Sequence, residues 1–200
     1  MRRRGGAYDA DDMRAIVAAY ITDYQDRSKE EWAFFASQST LAATVRLAGL
    51  AEGPKSKRMS HQRRIPRSVL RESAGRLLRR LGALKRSRSF EQLHDVVAAT
   101  IGPIPGIGDL TVYDTAIRIA AHRNLSPKRV YLHAGTREGA RALGVSRDRE
   151  WVMPRELPRE LRRLRPMEIE DCLCIYKADL RALANGRVLV HGERGRRGKC

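Results

Sequence analysis

Ile104-Pro105-Gly106-Ile107-Gly108-Asp109-Leu110-Thr111 is a Gly-hydrophobic-Gly turn set between two segments of helical periodicity, and its reading decides the fold. Upstream, Ser89 with Gln92 three residues on has capping-box spacing, and Phe90, Leu93, Val97 and Ile101 recur at helical intervals. Gly102, Pro103 and Pro105 end that helix, because neither residue type sustains a helix interior. Downstream, Asp109 is placed to cap a second helix whose apolar stripe is Leu110, Tyr113, Ala116, Ile117 and Ala120. Gly106 and Gly108 let the backbone turn sharply and admit a ligand where a Cβ would stand. The amides of residues 106 to 111 then lie at a helix N-terminus, where the dipole favours an anion such as a phosphate oxygen. Such bonds fix a nucleic-acid backbone in register without reading its sequence.

These residues resemble the helix-hairpin-helix superfamily, whose turns carry a Leu-Pro-Gly-Val-Gly or Leu-Pro-Gly-Ile-Gly core, over positions 89 to 123. The superfamily includes DNA glycosylases, repair nuclease subunits, polymerase and ligase modules and ribosomal proteins. The resemblance implies binding to a nucleic-acid backbone and leaves the chemistry open. A tight interhelical turn with no ligand is the other reading of the same residues.

The charge favours the first. The net charge is +17, and Pro54 to Phe90 holds 13 Lys and Arg against a single acid, Glu72. Arg2, Arg3 and Arg4 add to this, as does the 185 to 200 tail. Concentration of one sign on this scale is the electrostatic footprint of a polyanion and predicts steeply salt-dependent binding. Within it, Met59-Ser60-His61-Gln62-Arg63-Arg64-Ile65-Pro66 offers base-edge donors in His61 and Gln62 and phosphate contacts in Arg63 and Arg64, with Lys57 and Arg58 just upstream. A solvated basic loop is the alternative. The expected DNA-binding set is therefore Gly106, Ile107, Gly108, Thr111, Lys57, Arg58, His61, Gln62, Arg63 and Arg64, with double-stranded DNA as the partner.

The expected fold is mainly α, a compact helical fold built around the turn. Its divisions are 1–88 with the basic segment 54–88, a core at 89–145, and a C-terminal region with a basic tail at 146–200. Met13, Ile16, Val17, Tyr20 and Ile21 predict a helix over Asp11 to Tyr24. Ser28 with Glu31 predicts the cap of a second, carrying Trp32, Phe35, Leu41, Val45 and Leu47 to Gly53-Pro54. Lys55 to Arg64 reads as an exposed loop and Pro66 to Leu84 as a helix. Pro166 opens a C-terminal helix with acids at its positive end. At most short strands are expected, around Arg129 to Leu132 and Arg187 to His191, with a turn at Asn185-Gly186.

No apolar run approaches the ~20 residues of a membrane span, and no signal peptide is recognisable, so a cytoplasmic location without membrane partners is expected. Three cysteines, two of them Cys172 and Cys174, make neither a disulfide framework nor a metal site, so no cofactor and no metal are expected.

Glycosylases of the superfamily place a catalytic Asp about twenty residues after the turn. Here that stretch is Val130-Tyr131-Leu132-His133-Ala134-Gly135-Thr136-Arg137, which has no carboxylate, and the turn has no Schiff-base lysine. Asp114 is the candidate acid from elsewhere, because it stands among apolar neighbours on the second helix; an i, i+4 pair with Arg118 is the plainer reading. Asp109 is a second catalytic candidate, explained also as a cap. His133 is a third, able to act as acid, base or phosphate donor, or simply structural. Glu138 reads as a first-turn residue behind a Thr136 cap. Asp171 and Lys177, within Glu168 to Lys177, are further candidates in what otherwise reads as a core helix.

The blocks 60–66, 106–116, 130–143 and 168–177 are also similar to phage-defence DNA glycosylases that excise glucosylated hydroxymethylcytosine. That resemblance implies a base flipped into a pocket near the turn and an abasic product. The expected function is a monofunctional DNA glycosylase acting on a modified base, and the alternative is a non-catalytic DNA- or RNA-binding module or nuclease-accessory factor.

Overall fold

Thr40 accepts a hydrogen bond from the Ala43 amide and Ser89 from the Gln92 amide, and these two caps start the two helices that frame the centre of the chain. The computed structural model describes residues 9–186. Among them are ten α-helices and a single two-stranded sheet. The chain is mainly helical and divides into two units, one of residues 27–127 and one of 9–26 with 128–186. The boundaries near 88 and 145 expected from the sequence fall inside these units.

Six helices make up the 27–127 unit: α2 (Gln25–Ala36), which begins at the unit boundary, α3 (Leu41–Gly49), α4 (Arg67–Arg79), α5 (Leu81–Arg86), α6 (Phe90–Ile101) and α7 (Asp109–Arg123). α3 packs on α4 and α7, and α6 on α4 and α7. At Gly49 an added Cβ would stand 2.6 Å from the Ala74 Cα, so the α3–α4 approach needs glycine. α7 is buried on nearly every side: Val112, Tyr113, Ala116, Ile119 and Ala120 face apolar surroundings, and Thr111, Thr115 and Arg118 are buried too. Leu110 and Ile117 of the expected stripe are only half-buried, because the helix lies in the middle of the unit rather than on its surface.

The other unit holds α1 (Ala10–Asp23), α8 (Ala134–Ala142), α9 (Pro166–Ile175) and α10 (Lys177–Ala184). Strand β1 (Val130–Tyr131) pairs antiparallel with β2 (Trp151–Val152), Val130 opposite Val152. Its core joins Met13, Ile16, Val17 and Tyr20 of α1 to Leu132, Leu161, Ile169, Leu173 and Leu180. α8 and α9 meet closely, since a Cβ at Gly139 would run into the Leu173 carbonyl.

Several local expectations are corrected. Ser28 lies inside α2, which begins at Gln25; the helix that carries Leu41, Val45 and Leu47 is separate and starts from Thr40. The Pro66 to Leu84 segment breaks at Arg80 into α4 and α5. The Lys55 to Arg64 segment contains two 3-10 turns, Pro54–Ser56 and Ser60–Gln62, and Gln62 is fully buried. Gly108, not Asp109, is the N-cap of α7; Asp109 is its exposed first residue. His133, not Thr136, precedes α8, and Thr136 is buried. The expected strand at 129–132 forms, and the one at 187–191 lies outside the described residues.

Candidate nucleic-acid interface and its polar network

Ile104 and Ile107 are buried and anchor the turn between α6 and α7, leaving Gly106 and Gly108 exposed. Gly106 has φ +90°, a conformation that side-chain-bearing residues rarely adopt, and a Cβ added at either glycine would meet nothing within 4 Å. The expectation that all amides from 106 to 111 point outward is corrected in two places. The Ile107 amide donates to the Ile104 carbonyl at 3.0 Å and the Thr111 amide to the Gly108 carbonyl at 2.9 Å. The amides of Gly106, Gly108, Asp109 and Leu110 have no acceptor among the described residues. Four donors therefore gather at one open helix N-terminus, with the Asp109 carboxylate beside them. Ile107 and Thr111, both expected to touch DNA, are buried, with their amides bonded within the turn.

One turn further along α7 the helix carries Thr111, Asp114, Thr115 and Arg118 at i, i+3, i+4 and i+7, a polar stripe on a buried helix. Asp114 Oδ2 accepts from His61 Nδ1 at 3.0 Å and from Gln62 Nε2 at 2.7 Å, and lies 3.6 Å from an Arg118 guanidinium nitrogen. A carboxylate only accepts, so His61 Nδ1 carries a proton. Gln62 closes the circuit by accepting from both terminal nitrogens of Arg118 at 3.3 Å. Arg118 Nε donates to Glu31 of α2 at 3.0 Å, and its guanidinium lies 5.9 Å from the Phe35 ring centre.

Burial pushes the Asp114 carboxyl upward, but the His61 hydrogen bond, the Arg118 charge, the His61 charge and the Gln62 amide outweigh it, so its pKa lies below the ordinary 3.8. Asp114 is thus an anion near neutral pH. The expected Asp114–Arg118 pair exists, as part of a network that fastens the Ser60–Gln62 turn to α7 and α2. All three contacts to Asp114 converge on Oδ2, and the side chain keeps 14% exposure; that of His61 keeps 23%.

The basic candidates fall into two groups. Lys57, Arg63 and Arg64 are exposed, whereas Arg58 is half-buried and donates to the Ile65 carbonyl at 2.8 Å, holding the segment's shape. His61 and Gln62 join Asp114. His133 belongs to the other unit, where its Nε2 lies 3.9 Å from Glu170 Oε1 and Thr136 Oγ1 donates to that same oxygen at 2.5 Å. Glu138 pairs with Arg181 at 2.9 Å, and Asp171 accepts from the Tyr20 hydroxyl at 3.3 Å. Lys177 opens α10. Sequence spacing pairs Arg118 with Asp114 but reveals neither its bond to Glu31 nor its bonds to Gln62, both of which join segments far apart in the chain. Among the described residues no cluster of three or more His, Cys, Asp or Glu is arranged to hold a metal ion, and no helix is long and apolar enough to cross a membrane.

The chain matches no family model, no curated protein and no solved structure.

Proposed function

We propose that the chain is a double-stranded DNA-binding protein whose 27–127 unit grips backbone phosphate through a helix-hairpin-helix element made of α6, the 102–108 turn and α7. The observation that carries this reading is the set of four unpaired amides at Gly106, Gly108, Asp109 and Leu110, on an exposed turn with no side chain in the way. Hydrogen bonds to a charged acceptor contribute about 1.5 to 3 kcal/mol each, so two or three suffice to fix a phosphate. The basic 54–90 segment in the same unit supplies the salt-dependent attraction.

The test is binding of unmodified duplex by wild type and by Gly108→Val. Gly108 has φ −104° and open space around it, so valine costs the fold under about 1 kcal/mol as a poorer N-cap while covering the amides. Affinity should fall at least tenfold with the thermal midpoint nearly unchanged. Unchanged affinity would remove the turn from the interface.

A second reading, a monofunctional DNA glycosylase acting on a modified base such as glucosylated hydroxymethylcytosine, is favoured by the ionised Asp114 with His61 on it. In that reaction water bonds to C1′ as the C1′–N bond breaks. One water proton passes to the neutral imidazole of His61, which returns it to solvent, and the departing base takes up a proton from solvent. Asp114 holds the imidazole in one tautomer and places negative charge near the developing oxocarbenium ion. Incubation with unmodified, uracil-containing and glucosyl-hydroxymethylcytosine duplexes, then alkali, reads it: a released base that disappears in His61→Ala, with binding retained, supports the enzyme. No release from any duplex leaves the binding module.

A further inference from the structure

Arg76, Arg79 and Arg80, at the end of α4 and just beyond it, line a depression of about 310 Å³ whose opposite wall is Ala99 and Thr100 in the last turn of α6. Arg76 is engaged by Glu72 at 2.6 Å. Arg79 and Arg80 are exposed and pair with no acid among the described residues. Two unneutralised guanidinium groups directed at one depression repel each other unless an anion joins them, and the planar fork of arginine suits phosphate oxygens.

The position of the depression identifies the anion. Thr100 is six residues before Gly106, and α6 runs from the depression directly into the turn. Six residues span at most ~20 Å. Duplex DNA carries one charge per ~1.7 Å of its axis, so about a dozen phosphates fall within that reach of a backbone seated on the turn. We infer that Arg79 and Arg80 form a second phosphate subsite for the same duplex, flanking the one held by the turn amides. This rests on the DNA-binding reading and adds to it a named contact. The subsite works by charge, while the turn works by oriented amides, so the two respond differently to salt.

The experiment measures duplex affinity from low to moderate salt for wild type, Gly108→Val, the double variant Arg79→Gln/Arg80→Gln and the charge-keeping Arg79→Lys/Arg80→Lys. For the glutamine pair the slope of log affinity against log salt should shrink by about 2, at ~0.9 per released contact. The lysine pair should keep the wild-type slope, and Gly108→Val should lose affinity with its slope held. On unaltered protein, arginine modification read by mass spectrometry should show Arg79 and Arg80 protected by duplex. An unchanged slope in the glutamine pair, or equal modification with and without DNA, overturns the subsite while leaving the turn as the interface. Wild type without affinity for any duplex overturns both.

Discussion

In the 27–127 unit His61 meets Asp114 at 3.0 Å, and the carboxylate is also engaged by Gln62 and Arg118, so three side chains from two chain segments close on one oxygen. In the other unit His133 stands 3.9 Å from Glu170, too far for a hydrogen bond, and the carboxylate is taken by the Thr136 hydroxyl at 2.5 Å. Both acids are on buried helices, yet they do different work. Glu170 joins α9 to the start of α8, where a glycine already brings the two helices together. Asp114 ties down a turn rich in arginine that would otherwise repel itself. A histidine beside an acid is therefore not one kind of site: what else reaches the carboxylate decides whether it locks two helices or presents a charged loop.

Removing Arg118 strikes this comparison hardest. Arg118→Met leaves Asp114 and Glu31 without their shared cation, and loss of one partner of a buried pair costs about 3 to 5 kcal/mol. Hydrogen exchange should show the loss in 27–127. An equal loss of protection at α8 and α9 would break the distinction between the two networks.

Asp114→Asn should cost about 1.5 to 3 kcal/mol by denaturant unfolding. The folded carboxyl lies below its ordinary 3.8, so its contribution is complete above that value and is lost as pH falls through the folded pKa. The gap between wild type and Asp114→Asn should therefore close as the pH falls below 3.8 through the folded pKa. A gap that grows in acid would reverse the assigned sign.

In the other unit, Gly139→Ala pushes a methyl against the Leu173 carbonyl and should cost about 1 to 3 kcal/mol. Exchange at α8 and α9 should accelerate; an unaltered rate would mean that the helices have room to part.

The smallest effect is a gain. Asp109 places a negative charge beside the four unpaired amides, so under the proposed DNA-binding reading Asp109→Asn should tighten duplex binding by a few-fold at low salt, with the difference shrinking as salt screens it. Weaker binding would mean that the carboxylate helps to shape the turn.

Local signals carried much of this architecture. Ser89 with Gln92, the Phe90 to Ile101 periodicity and the glycines of the turn are read within a dozen residues, and α6, the turn and α7 follow from them. Asp114, His61 and Gln62 were each recognisable as unusual. Their union was not, because it joins positions more than fifty residues apart, and Gln62, in a segment that reads as an exposed loop, is fully buried. Ser28 shows the opposite failure: its spacing to Glu31 fits a cap, yet the helix had already begun at Gln25. The unit boundaries were hidden for a topological reason, since α1 packs with elements found after residue 128.

That arrangement has a consequence for synthesis. Met13, Ile16, Val17 and Tyr20 reach the ribosome exit before any of the residues from Val130 to Leu183 that bury them. At roughly 5 to 20 residues per second, about 5 to 20 s pass while 27–127 is made between the two halves of that core. For that interval the four apolar side chains of α1 lack the surface that later buries them, and the segment waits, helical or not, for the second half of its core.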